Sequence, residues 1–130
     1  MKNLSIIVLV LGLGPAGSAL ASDDKFSKDY GRCMDQAVST FDILECTQQE
    51  LEKQDARLNA AYKKLRAAES ENQKKSLLEA QRAWIKFRDT WGNYLYDPEG
   101  GTMARVAAAT WNLEATVDQA IRLEQSLQPE

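Results

Sequence analysis

The sequence contains no histidine, three prolines and two cysteines among its 130 residues. Without histidine the commonest general base is missing, and so is the imidazole ligand of most zinc sites. Neither cysteine nor any serine has an evident activating partner, so no nucleophilic machinery is visible. No glycine-rich loop follows a strand, which excludes the usual phosphate cradle of nucleotide enzymes. Runs of β-branched residues with period two are absent, so no strand is expected. No basic stripe exists to neutralise phosphates, which disfavours nucleic acid as a partner. Carboxylates such as Glu50, Asp55 and Asp89 are present. A glycosidase needs two of them across a cleft, and any helical protein supplies that many. The expectation is a protein that is not an enzyme and needs no cofactor or metal.

The N-terminus has the layout of an export signal. Met1-Lys2-Asn3 is a short positive start, Leu4 to Leu13 is almost wholly apolar, and Gly14, Pro15 and Gly17 break the helix. Ala19-Leu20-Ala21 fits the small-x-small rule for cleavage before Ser22. The apolar run is too short to span a bilayer, which takes about 20 apolar residues. No stable membrane insertion is therefore expected after cleavage. The remaining domain, residues 22–130, is destined for the periplasm or for secretion. Its formal net charge moves from −3 to −4 because Lys2 leaves with the signal.

Cys33 and Cys46 lie 13 positions apart. In an oxidising compartment such an isolated pair forms a structural disulfide. Redox motifs place the cysteines closer together. Closing a loop of this size stabilises a fold by about 3 kcal/mol in the chain-entropy account.

Helical periodicity dominates the rest of the chain. A short helix is predicted over Phe26 to Ala37, with Ser39-Thr40 ending it and capping the next. Leu44, Leu51, Leu58 and Leu65 alternate with Thr47, Gln54, Ala61 and Ala68 along a seam of period 3.5, from about Phe41 to Ala68. A polar turn comes next at Glu69 to Asn72. A third helix, Gln73 to Leu95, carries the seam Leu77, Gln81, Trp84, Arg88, Trp91, Leu95. After the turn Asp97-Pro98-Glu99-Gly100-Gly101, Thr102 is a candidate N-cap for a fourth. Its seam runs Val106, Ala109, Leu113, Thr116, Ala120, Leu123, Leu127. Three long seams with short connections predict an all-α fold: a small antiparallel bundle of three long helices plus a short N-terminal one, with one disulfide.

Polar residues on these seams are the candidate site. An arginine is costly to bury unless it is paired. Arg88 is therefore expected to pair with Asp55, with Asn59 and Gln81 supplying further hydrogen bonds and Tyr62 capping the layer. On that reading Arg88→Ala would strand Asp55 and destabilise the fold severely. The layer either fixes helix register or lines a ligand groove. Trp84 and Trp91 are expected in the core. Tyr94 and Tyr96, with Asp97 and Glu99 of the turn, form a candidate partner-binding edge or else pack over the bundle end.

The blocks Asp55-x-x-Leu58-Asn59-x-x-Tyr62, Gln81-Arg82-Ala83-Trp84 and Phe87-Arg88-Asp89, then Gly100-Gly101-Thr102 and Thr116, resemble the LprI-like family, named for a lysozyme inhibitor. The resemblance covers about Cys33 to Leu123. It implies a secreted or periplasmic helical protein whose partner is a lysozyme or another cell-wall hydrolase. Many members carry a further cysteine pair, at positions matched here by Gly92 and Trp111, and an arginine where this chain has Gln119. Two other functions fit the residues: an envelope or immunity-type module with a different dedicated protein partner, and a small-ligand binder.

Overall fold

A computed structural model describes residues 25–128. The expected export signal lies outside them. Four helices run in the order α1 Lys28–Gln36, α2 Thr40–Ala68, α3 Glu71–Leu95 and α4 Gly101–Gln125. No strand occurs among the described residues.

Serines set three of the four starts. The Ser27 hydroxyl accepts from the Tyr30 N–H at the head of α1. Ser39 and Asp42 form a reciprocal capping box at α2: Asp42 N–H donates to Ser39 Oγ at 3.1 Å and Ser39 N–H to Asp42 Oδ2 at 2.9 Å. Ser70 caps α3, receiving the Gln73 N–H at 3.3 Å. The fourth start corrects the sequence reading. Thr102 is not the cap; α4 begins at Gly101, after Gly100, with no side-chain cap. Gly101 has φ +65°, a left-handed conformation that L side chains resist, so the chain turns on glycine rather than on a hydroxyl.

α4 is the organising helix. It packs along α2 and against α3, whereas α2 and α3 meet only briefly. Its middle is therefore buried on almost every side, and Leu113, Thr116, Val117 and Ala120 have no exposed surface. Leu58, Ala61 and Leu65 of α2 close the core against Ala120 and Leu123, with Tyr62, Leu77, Trp84 and Leu127 around them.

The leucine seam of α2 holds only in its second half. Leu58 and Leu65 are buried and so are the alternate seam residues Thr47, Gln54 and Ala61, but Leu44 and Leu51 are only half-buried, and Cys46 and Glu50 are buried in their place. A straight helix of 3.6 residues per turn drifts about 20° per heptad from a 3.5 repeat, so the buried stripe leaves the leucine line. α1 covers the part that rotates inward. The Cys33–Cys46 disulfide joins the two helices with Cα atoms 5.7 Å apart.

A two-pronged ion pair ties the middle of α2 to the C-terminal turn of α4: Arg57 Nε and Nη2 donate to Glu124 Oε1 and Oε2 at 2.7 and 2.6 Å. The hydrogen bonds from Arg57 hold the Glu124 carboxyl below its ordinary 4.5, partly opposed by burial. The Ser39 hydroxyl and the Val38 and Ser39 N–H groups do the same for Asp42 relative to 3.8. Carboxyls with depressed native pKa values contribute stability above their ordinary values and lose it as pH falls through the native ones. Tm should therefore be nearly flat above about pH 5 and decline as pH drops below 4.5. Thermal melts of Glu124→Gln across the same range should show a shallower decline; an unchanged profile would refute the assignment.

Candidate functional site

Because α2 and α3 diverge, an open groove of about 460 Å³ lies between them. Its α2 wall is Asp55, Leu58, Asn59 and Tyr62, which share one helix face at spacings of three and four. Gln81, Trp84 and Arg88 face them from α3, with Leu78, Arg82 and Ile85. The expected polar layer is thus assembled along one cleft, but it is open rather than sealed. Asn59 is exposed, and Asp55 and Tyr62 are half-buried.

Arg88 occupies the inner wall. Its guanidinium stacks over the Trp84 ring, 5.0 Å from the centroid. Nε donates to Asp89 Oδ1 at 2.9 Å, and Nη1 lies 3.4 Å from Thr116 Oγ1. The expected pairing with Asp55 is present as a long ion pair: Asp55 Oδ1 stands 3.9 Å from Nη1, beyond hydrogen-bond length. The Asp55 side chain is 48% exposed, so water can hydrate it without Arg88. Loss of Arg88 therefore leaves no stranded buried charge, and this geometry does not support the severe destabilisation expected from sequence.

Gln81 turns away from Arg88. It accepts from Gln119 Nε2 at 2.9 Å, and Gln119 Oε1 accepts from Arg122 Nη1 at 2.5 Å. Both glutamines are 7% exposed. Gln119 is a partner that sequence reasoning missed, because it lies one step off the α4 seam beside Ala120.

The aromatic residues also differ from expectation. Trp84 packs against the core as expected, half-buried beneath Arg88, but Trp91 is 45% exposed rather than in the core. Gly92, next in sequence, is the buried residue facing α4. A Cβ there would lie 2.9 Å from Asn112 Oδ1 and 3.5 Å from the Trp111 ring. With the small residue inward, Trp91 turns to the edge and meets Trp111 at 6.1 Å and Tyr94 at 5.1 Å between centroids. Phe87 meets Trp111 edge-on at 5.6 Å, and Trp111 Nε1 donates to the Arg88 carbonyl at 2.9 Å. Gly92 and Trp111, the positions matched to a second cysteine pair, are neighbours, and the indole stands between the helices there.

The second candidate surface is the α3–α4 turn. Tyr94, Tyr96, Asp97 and Glu99 are all exposed. Asp97 shapes the turn: its Oδ1 accepts from Glu99 N–H at 2.9 Å and its carbonyl from Gly100 N–H at 3.0 Å. Both tyrosines are thus exposed at one end of the bundle, Tyr94 lying against Trp91 and Tyr96 beside Ala108 and Asn112 of α4. Among the described residues no group of acidic or cysteine side chains is arranged to hold a metal ion. Nor is any helix there long and apolar enough to cross a membrane.

The family description "Lysozyme inhibitor LprI" matches residues 33–123, from the first cysteine to near the end of α4. The chain belongs to the LprI family. No curated protein and no solved structure matches it. The LprI match encloses the disulfide, the groove and the turn, so each lies within the family domain rather than in an appended segment.

Proposed function

We propose that this LprI-family protein is an extracytoplasmic lysozyme inhibitor that acts by binding, not by chemistry. The family match over residues 33–123 carries the reading. The signal-like N-terminus and the disulfide fit an oxidising compartment. Lysozymes are commonly basic, so residues 22–130, of net charge −4, would be steered toward them, more weakly as salt rises.

The docking element is the turn bearing Tyr94, Tyr96, Asp97 and Glu99. Tyr94 is 72% and Tyr96 46% exposed, which leaves both rings free to enter a concave cleft. Aromatic side chains anchor many protein interfaces. In a turbidity assay on cell walls, the disulfide-intact protein should slow at least one lysozyme class saturably. The double variant Tyr96→Ala, Asp97→Ala should weaken inhibition about tenfold or more, the scale of a single interface hot spot. Undiminished inhibition would exclude the turn. No inhibition of any class at large excess would overturn the function itself, and a single different protein recovered in a periplasmic pull-down would then name the partner.

A further inference from the structure

The groove between α2 and α3 has unused capacity of both charges on its walls. The Arg88 guanidinium has five N–H donors, and its bonds within the protein are the one to Asp89 and the long one to Thr116. The Asp55 carboxylate accepts no hydrogen bond from any described residue, and its nearest cation is Arg88 at 3.9 Å. Asn59 and Tyr62 add an amide and a phenol, also without protein partners among the described residues. Leu58, Leu78 and Ile85 provide an apolar surface in the same cleft. The Arg88 side chain is only 20% exposed and is braced by Trp84, so it is already ordered and partly dehydrated. Such preorganisation lowers the entropy cost of receiving a ligand.

Beside Arg88, Asp55 repels a simple anion, whereas the exposed Arg82 adds a second cation to the groove and, with Arg88, disfavours a simple cation. The ligand that satisfies both carries a carboxylate and an ammonium close together, with an apolar remainder. We propose that the groove binds a free α-amino acid with a large apolar side chain. Its carboxylate takes the open face of Arg88, its ammonium takes Asp55 with Asn59, and its side chain lies on Leu58, Leu78 and Ile85. The two charged ends of an α-amino acid are attached to one carbon, which suits partners only 3.9 Å apart. A volume of about 460 Å³ falls in the range of small-ligand pockets. The site is independent of the turn and of lysozyme inhibition.

The test is calorimetric titration of the disulfide-intact protein with three probes: phenylalanine, N-acetyl-phenylalanine and phenylalanine amide. The free amino acid should bind about tenfold or more tightly than either blocked form. It should also shift the Trp84 indole N–H resonance, which places it in the groove. Asp55→Asn, an isosteric change at a half-exposed site, should erase the preference for the free amine. Arg88→Ala should abolish binding, its folding checked by circular dichroism; Asp55→Asn decides the matter if that variant does not fold. Absence of binding at millimolar phenylalanine, equal binding of all three probes, or unchanged selectivity in Asp55→Asn would each overturn the proposal. The lysozyme assay is read separately, so either result stands without the other.

Discussion

Leu113→Ala should lower Tm by roughly 10–20 °C, the largest effect expected of a single truncation in this chain. Leu113 has no exposed surface and sits at the middle of α4, the helix that α2 and α3 both pack on. Removing its side chain leaves a cavity that three helices would have to close together. Core leucine truncations cost about 2–5 kcal/mol, the upper part of that range applying where the site cannot collapse. Leu51→Ala is the control. It lies on the leucine line of α2 but is only half-buried, so its loss should cost clearly less. Thermal melts of the two variants decide the point. Equal losses would mean that the leucine line, not α4, organises the core.

Glu50→Ala should be nearly as damaging, for a different reason. Glu50 is 1% exposed and has no cation on its carboxylate. It is held by hydrogen bonds instead: Ser27 N–H and Gln54 Nε2 each donate to Oε1 at 2.7 Å, and the Ser27 hydroxyl to Oε2 at 2.5 Å. Deleting the carboxylate leaves three donors without an acceptor. Leaving a buried donor without its acceptor costs about 1–3 kcal/mol each, so a total near 3 kcal/mol is a conservative expectation. The damage should be local first. α1 buries no side chain completely and is tethered to α2 by Cys33–Cys46, by this carboxylate and by the surface ion pair of Lys53 with Asp29 at 2.8 Å. Hydrogen exchange of the α1 amides should therefore accelerate before that of α4. Combining Glu50→Ala with removal of the disulfide, itself worth about 3 kcal/mol, should release α1 from the bundle. If α1 stays protected in that double variant, packing of Phe26 and Tyr30 together with the Lys53–Asp29 pair carries more of the attachment than the two deleted tethers do.

Several features are open to sequence reasoning because they depend on neighbours along the chain. Period and caps are of this kind. Ser39 stands immediately before the longest apolar repeat, and it does cap α2. Two cysteines with no competing partner could join only each other, and they do. Asp55, Leu58, Asn59 and Tyr62 share a helix face by spacing alone, as do Gln81, Trp84 and Arg88.

Other features depend on helix rotation, which periodicity does not set. The leucine line and the buried stripe of α2 diverge because the true repeat is 3.6, and only the position of α1 shows which residues the drift carries inward. Glu50 passes for one more surface carboxylate until Ser27 is seen folded over it. Trp91 passes for core until Gly92 is found at the contact with α4. Spacing assigns Gln81 to Arg88, yet a buried amide takes whichever complementary amide lies within reach, and Gln119 is on a helix whose rotation the pattern left free.

The sequence by itself determined the helices, their approximate ends, the disulfide and the two residue blocks that mark the LprI family. Each rests on local periodicity, capping chemistry or elimination of other partners. Only the tertiary structure decided that α4 lies at the centre and that α2 and α3 splay apart. It likewise decided that the two blocks face each other across an open groove instead of closing into a buried layer. These outcomes come from how three helices share one central neighbour. That balance of side-chain volumes and rotations is spread over the whole chain, and no single stretch of it carries the answer.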